Sequence, residues 1–387
     1  MKTHRREPVS LASFPEEIMK TVSFVIDDAV ASIIRAPLVT PFRIATGQHD
    51  ELANVFLRLR TGDGTCGYGE AAVASHITGE TIETTLANLQ AAASALRGRR
   101  IDDAETVCRE FAPAFAGNHA GLAALEMALL DLSSRVQGIP FYRLFAPVAA
   151  RGPLLSFATD ITIVIGSLEQ ARATAQQFSA RGFKAFKIKI GKDEELDLKR
   201  VLAVREAAPD SDLILDANMG FSADRMLAFL ERLGAGGARP ALLEQPVPKY
   251  DWDGLAAITS ALSGSGTLVC ADESVGSLAD ARRAIDSNAV SAINVKFMKS
   301  GILEGAEITR LAASHGMRLM LGAMMESALA ITASAHFAAG LACFDFLDMD
   351  TTFFIKGELA HSPYLDDSGR FDLSSAGHGI GVEPRFA

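Results

Sequence analysis

From about Ser156 onward the chain alternates short apolar, β-branched runs with longer stretches of helical periodicity, and this alternation constrains the fold more than anything else in the sequence. The candidate strands are LLSFATDITI (154 to 163), AFKIKI (185 to 190), LILDAN (213 to 218), ALLEQP (241 to 246), LVCADE (268 to 273), AINVKF (292 to 297), RLMLGAM (318 to 324) and FDFLDMD (344 to 350). Helix-like segments such as SLEQARATAQQFSARG and SADRMLAFLERLG separate them, several opening on Ser or closing on Gly as helix starts and stops do. Eight such strands fit a closed (β/α) barrel of about 200 residues. A doubly wound open sheet would keep its polar residues at one switch point. Here charged residues stand at or near the C-terminal end of almost every run, and in a barrel those ends converge on one mouth.

With 387 residues, nearly half of them apolar, a second smaller unit is expected beside the barrel. VSFVIDDAVASIIRA and NVFLRLRTGDGTCGYGEAA read as strands with a Gly-rich turn, and ETIETTLANLQAAASALRG and AGLAALEMALLDLSSRVQG as helices, so the stretch before the barrel is an α+β cap. The expected division is an N-terminal arm over 1–20, the cap over 21–150, the barrel over 151–355, and a C-terminal segment over 356–387 that returns to the cap through SSAGHGIGVEP. The formal charge of −10 argues against a phosphate-backbone binder, so nucleic acid is not an expected partner. No run is long and apolar enough to span a bilayer, and the first twenty residues carry charges and two prolines where a signal peptide would be apolar. Cys66, Cys108, Cys270 and Cys343 lie far apart without CxxC spacing, which points to a reducing cytoplasm.

In KAFKIKIG, Lys187 and Lys189 stand two apart on one strand and share a face. An edge strand with solvated lysines is the simpler alternative. If the lysines face inward, Phe186, Ile188 and Ile190 face the ring of helices, and each cation lowers the other's pKa toward that of a usable base. Asp216, Glu244 and Asp272 then fall at the ends of three successive strands. Each alone could be an ordinary polar strand end, but together they repel unless a cation sits between them. Hard oxygen ligands with open positions suit Mg²⁺. Asn218 shares a face with Asp216, and Glu273 follows Asp272, as supports behind the ligands. On the sixth strand Lys296 lies across the ring from Lys189, which permits a base on each face of one substrate carbon, while Lys299 reads as a loop contact or surface charge.

The compound pattern KxK, DAN, LEQP, ADES and NxKxxKSG resembles the muconate lactonizing enzyme subgroup of the enolase superfamily over nearly the whole chain; AALEMALLDLSSRVQGIPFYRLF also looks like the helix that joins cap to barrel there. The resemblance implies a modified (β/α)7β barrel with an α+β capping domain, Lys189 and Lys296 as the acid/base pair, and Mg²⁺ on Asp216, Glu244 and Asp272. An α-hydrogen of a carboxylate is very weakly acidic, so removing it requires cations to hold the enediolate charge. Lys187 would add to that charge and depress the pKa of Lys189.

Within the subgroup, FLDMDTT places Asp348 and Asp350 on one face at the mouth and resembles the DxD with which dipeptide epimerases hold a free α-ammonium. A paired anionic site suits a primary ammonium, whereas succinylated or muconate substrates bring only negative charge. TDITI with Thr162 and GAMMES with Glu326 also look like dipeptide epimerase segments. The implied activity is a two-base epimerisation of the C-terminal residue of a dipeptide. N-succinylamino acid racemase, o-succinylbenzoate synthase and muconate cycloisomerase activities are the alternatives, and a non-catalytic barrel is the alternative of another class. Ala-Glu epimerases carry an arginine near the chain start for the distal carboxylate; Gly47 falls there, with Arg43 or His49 as substitutes, or else the second residue is not acidic. Ala323 leaves room near the substrate with Met325 beside it, and Phe353, Phe354 and Ile355 offer an apolar pocket or plain packing. A mandelate racemase type site would need a histidine on the seventh strand; His315 precedes that strand and reads as a helix cap. A Schiff-base aldolase would not need three metal-binding carboxylates. A homo-oligomer is expected.

Overall fold

The computed structural model describes residues 22–45, 47–146, 152–357 and 359–385, leaving aside the side chains of His49 and His76. The proposed arm over 1–20 lies outside the described residues. Strands β1 (Phe24–Arg43), β2 (Gln48–Thr61) and β3 (Cys66–Ala71) form an antiparallel sheet completed by β4 (Arg100–Ile101), in the order β3-β2-β1-β4. Alternating burial over residues 24–27 and 33–39 of β1 is what a sheet with one covered face requires. The cover includes helix His119–Gln137, buried from Ala120 through Ser134, against which β3 packs at backbone contact. A Cβ on Gly69 would meet the Ala124 carbonyl oxygen at 1.9 Å, so glycine there is a packing requirement.

The first candidate barrel strand is two strands. β5 (Ser156–Ala158) pairs antiparallel with the tail strand, and only β6 (Ile161–Ile163) enters the barrel. The break falls where the Thr159 amide donates to Gly369 O and the Asp160 amide to Leu347 O, so the chain changes partners between them. Then follow β7 (Ala185–Lys189), β8 (Asp212–Asp216), β9 (Leu242–Glu244), β10 (Leu268–Ala271), β11 (Ala292–Val295), β12 (Arg318–Gly322) and β13 (Phe346–Asp348), all parallel, each beside its sequence neighbour. An α-helix links each pair, and among the described residues only the 3-10 turn Thr351–Phe354 lies between β13 and the last strand, β14 (Arg370–Asp372), so the architecture is the expected (β/α)7β barrel with an α+β cap. Between β13 and β6 the ring closes through mixed contacts. Asp160 N donates to Leu347 O (2.9 Å), Met349 N to Thr159 Oγ1 (2.8 Å) and Thr162 N to Asp350 Oδ2 (2.5 Å).

Inside the barrel, Ile214, Leu242, Cys270, Ala292 and Met320 form an apolar plug beneath the mouth. Outside, Phe186, Ile188 and Ile190 are fully buried, as inward lysines require. Cap and barrel share buried carboxylates. Glu126 accepts from the amides of Ile302 and Leu303 at the start of helix Ile302–Ser314. Glu70 accepts from Ser327 N, Ser327 Oγ and Ala330 N at the start of helix Ala328–Leu341. Such orphan amides are what helix starts leave to be satisfied. The tail reaches the cap, where Phe141 N donates to Gly379 O and Ile380 N to Asp131 Oδ1.

Candidate active site

Parallel register sets the charged ring. Thr162 is level with Lys187, Lys189 with Asp216, and Asp216 with Glu244, while Asp272 follows the end of β10. Both lysines of the KxK run point inward and are buried, which excludes the solvated edge strand. Lys187 Nζ lies 2.6 Å from Asp348 Oδ2, 2.8 Å from Glu244 Oε2 and 3.1 Å from Asp216 Oδ2; Lys189 Nζ lies 2.6 Å from Asp216 Oδ2. Lys296, just past β11, pairs with Asp272 Oδ2 at 2.8 Å. β7 and β11 are four places apart in the eight-stranded ring, so Lys189 and Lys296 face one another across it.

Two expectations change here. Lys299 is not a loop or surface charge, for it is buried and donates to Asp272 Oδ1 (2.7 Å) and to Asn294 O (2.9 Å). Nor is Lys187 a bare cation beside Lys189, because Asp216 stands between the two ammonium groups. Burial pulls Lys187 down, but Asp348, Glu244 and Asp216 together hold it well above the ordinary lysine range. For Lys296 burial likewise opposes, and Asp272 prevails to raise it. The carboxylates divide in the same way. Burial would raise Asp216, yet Lys189 and Lys187 hold it near 2, while burial and the neighbouring Asp216 push Glu244 up to about 7.

Several buried acceptor oxygens at this mouth have no donor among the described residues. Asn218 Oδ1, Glu273 Oε2 and Asn294 Oδ1 are without a hydrogen bond, and so is Glu244 Oε2, since Lys187 is close to it but not aligned to donate. Buried acceptors without donors are costly unless a cation joins them, and all are hard oxygens, so the residues present fit Mg²⁺. Among the described residues Asp216, Glu244 and Asp272 do not crowd together; each is drawn instead to a lysine. Asn218 and Glu273 meet, Nδ2 to Oε1 at 3.3 Å, although Asn218 itself lines the cavity. The chain leaves β8 and β9 through left-handed residues, Asn218 at φ 39° and Gln245 at φ 35°. Such conformations in non-glycine residues persist where the surroundings enforce them.

One cavity joins these groups. Lys189, Lys296, Asn218, Thr162, Asp348 and Asp350 line its polar side. Burial and the neighbouring Asp348 push Asp350 up to about 7. Phe42, Ile44, Ala74 and Ile77 from the cap, with Ala323, Met324 and Met325 after β12, line its apolar side. Gly47 holds the β1–β2 turn by accepting from Ile44 N, which brings Ile44 to the cavity. Arg43 does not reach it, its Nε being donated to Gln48 Oε1 on the exposed side; the His49 side chain lies outside the described residues. Glu326 is buried, accepts from Met324 N and holds the loop rather than lining the cavity. Phe353 and Phe354 pack, against Phe183 at 5.5 Å and Phe42 at 5.1 Å respectively. His315 caps its helix, Nδ1 lying 2.9 Å from Leu311 O.

Three positions at the site are not singled out by the sequence. Gln245, inside the LEQP run, accepts from the amides of Asp272 and Ser274 and donates to Val247 O and Ser274 Oγ, fixing the turn that presents Asp272. Asn54 donates to Glu70 and to Met325 O, tying the cap to the apolar wall. Asp160, two residues before Thr162, is buried beside Asp348 and Asp350. The TD of TDITI was the available signal for Asp160.

Residues 29–146 match the N-terminal domain model of the mandelate racemase / muconate lactonizing enzyme family, and residues 170–387 match the enolase C-terminal domain-like model. The chain is 81% identical over 366 residues to the hydrophobic dipeptide epimerase of Citrifermentans bemidjiense, covering 95% of this chain and 100% of that protein. It superposes on the substrate-liganded L-Ala-D/L-Glu epimerase of Bacillus subtilis with a TM-score of 0.87 at 29% identity, covering 94% and 100% of the two chains. The dipeptide epimerase of Enterococcus faecalis complexed with Mg and L-Leu-L-Tyr gives a TM-score of 0.84 at 29% identity, covering 93% and 99%.

Proposed function

The chain belongs to the mandelate racemase / muconate lactonizing enzyme family of the enolase superfamily, and from that premise we propose that it is a Mg²⁺-dependent dipeptide epimerase acting on dipeptides whose second residue is apolar. The observation that carries this reading is one cavity lined together by the opposed lysines, by paired aspartates and by an apolar wall. The aspartates take the α-ammonium, and Phe42, Ile44, Ile77 and Met325 take the second side chain. An acidic second residue would find no arginine there, since Arg43 is turned away.

In this mechanism Lys189 or Lys296, as the neutral amine, takes the α-proton of the C-terminal residue. The C–H electron pair moves onto the carboxylate as an enediolate. The opposite lysine, as the ammonium, returns a proton to the other face of the same carbon, so the configuration inverts with no net gain or loss of atoms. Mg²⁺, when bound through Asp216, Glu244 and Asp272, supplies a Lewis acid that stabilises charge on the substrate carboxylate. Lys187 keeps a fixed positive charge beside that place and braces Asp348. The cap wall excludes water from the carbanion.

The four described cysteines are free thiols, which supports a reducing cytoplasm, and we propose that the chain forms a homo-oligomer. The test is incubation of L,L-dipeptides with Mg²⁺ in deuterated water. Deuterium should enter the α-carbon of the second residue when that residue is apolar, much less when it is Glu, and not at all with excess chelator. Absence of exchange across such a panel would refute the reading.

A further inference from the structure

Asp160 has no place in the mechanism above. It is 2% exposed, and neither of its carboxylate oxygens meets a hydrogen-bond donor among the described residues. One oxygen from each of Asp160, Asp348 and Asp350 lies within 4.8 Å of the other two. The other two members already serve the protein, Asp348 by accepting from Lys187 (2.6 Å) and Asp350 by accepting from the Thr162 amide (2.5 Å). Asp160 therefore stands behind the cavity lining, beside Asp348 and Asp350, with two acceptors uncommitted. A buried carboxylate left so is expensive unless a donor arrives.

Geometry narrows the donor. Three oxygens within 4.8 Å of one another have a common centre no more than about 2.8 Å from each, the separation of a charge-assisted N–H···O bond. A primary ammonium offers three N–H donors and no acceptor. An acylated nitrogen offers one donor and adds a carbonyl oxygen that three carboxylates would repel. We propose that Asp160 is the third ligand of the substrate's α-ammonium, lying with Asp348 and Asp350 around a three-acceptor pocket that selects dipeptides with a free primary amine. This inference rests on the dipeptide reading above.

The test compares the parent with Asp160→Asn and Asp160→Ala on L-Ala-L-Leu, with propionyl-L-leucine, which lacks only the amine, as competitive inhibitor at saturating Mg²⁺. If the parent does not exchange the α-hydrogen of any dipeptide, the functional reading itself falls. If it does, the variants decide Asp160. KM for L-Ala-L-Leu should rise on the order of 10- to 100-fold, as for loss of a hydrogen bond to a charged group, with the loss falling more on KM than on kcat. The inhibition constant of propionyl-L-leucine should stay within about twofold. Because removing this charge relieves repulsion from Asp348 and Asp350, the variants should melt no lower than the parent. In the parent, N-trimethylated L-Ala-L-Leu keeps its charge but has no N–H, and should bind no better than propionyl-L-leucine. An unchanged KM, equal losses for both compounds, weakened Mg²⁺ binding measured without dipeptide, or tight binding of the trimethylated compound would each overturn the proposal.

Discussion

Glu70 offers a sharp test of how the cap shapes the barrel's active site. Its carboxylate is fully buried and accepts four hydrogen bonds: from Asn54 Nδ2 (2.7 Å), Ser327 N (2.8 Å), Ser327 Oγ (2.6 Å) and Ala330 N (3.2 Å). Glu70→Gln replaces one acceptor oxygen with an NH₂ group, so whichever way the amide turns at least one buried N–H faces another donor. That mismatch costs about 1–3 kcal/mol, and loss of the negative charge at a helix start about 1 kcal/mol more, giving about 3 kcal/mol. Glu70→Ala strands all four donors and should cost about 5 kcal/mol. With an unfolding entropy of about 2.1 cal/mol/K per residue, a chain of 387 residues changes stability by about 0.8 kcal/mol per kelvin near its midpoint. Differential scanning calorimetry should therefore show Tm lowered by about 4 °C for Gln and about 6 °C for Ala. Asn54 bonds both Glu70 and Met325 O, so KM for dipeptides with an apolar second residue should rise in both variants. A Glu70→Ala protein melting within about 1 °C of the parent would refute the view that this carboxylate caps the barrel helix.

Three more outcomes follow from the site and its supports. Asp216→Asn, Glu244→Gln and Asp272→Asn should each weaken Mg²⁺ binding and remove most activity with circular dichroism unchanged; full activity of any of them, or of the parent in excess chelator, would end the metal assignment. Lys189→Ala and Lys296→Ala should each abolish epimerisation, and α-deuterium exchange followed by NMR should survive only on the isomer whose proton faces the remaining lysine, with the preference reversed between variants; near-parental epimerisation in either would rule out a two-lysine mechanism. Burial depresses His336 to about 4, where Nδ1 accepts from Tyr142 N and Nε2 faces Ile380 O. The unfolded chain therefore takes up a proton first as pH falls, so stability present above about 6.5 is lost between about 6.5 and 4, by up to about 3 kcal/mol. His336→Gln should flatten that part of the Tm against pH curve, and an unchanged curve would count against it.

The strands of the barrel were legible because they are short, largely buried apolar runs, most with a charged residue at or near the C-terminal end. Period two put Lys187 and Lys189 on one face, and the ends of successive strands put Asp216 and Glu244 side by side. What register could not give was partnership across the ring. Lys299 looked like a surface charge because its strand had ended, whereas a single short helical turn, Phe297–Ser300, folds it back onto Asp272. The break at Thr159 and Asp160 was hidden because both halves of LLSFATDITI are apolar enough to be strands, and the change of partner depends on a tail some 200 residues later. Nothing in the sequence marks Gln245 or Glu70, since their weight comes from donors brought to them by distant turns.

The closing of the ring between β13 and β6 bears on how such a protein can change its diet. Asp350 and Thr159 spend side-chain oxygens on joining the first barrel strand to the last, and Asp350 belongs to the pair assigned to the substrate amine. A lineage that exchanged these residues to accommodate a different head group would have to mend its barrel in the same step. On the opposite wall the side chains of Phe42, Ile44 and Ile77 come from the cap and are apolar, so none of them holds the barrel ring closed by a hydrogen bond. Drift in specificity should therefore accumulate in the second residue of the dipeptide, with the amine-binding end held fixed by the architecture it keeps shut.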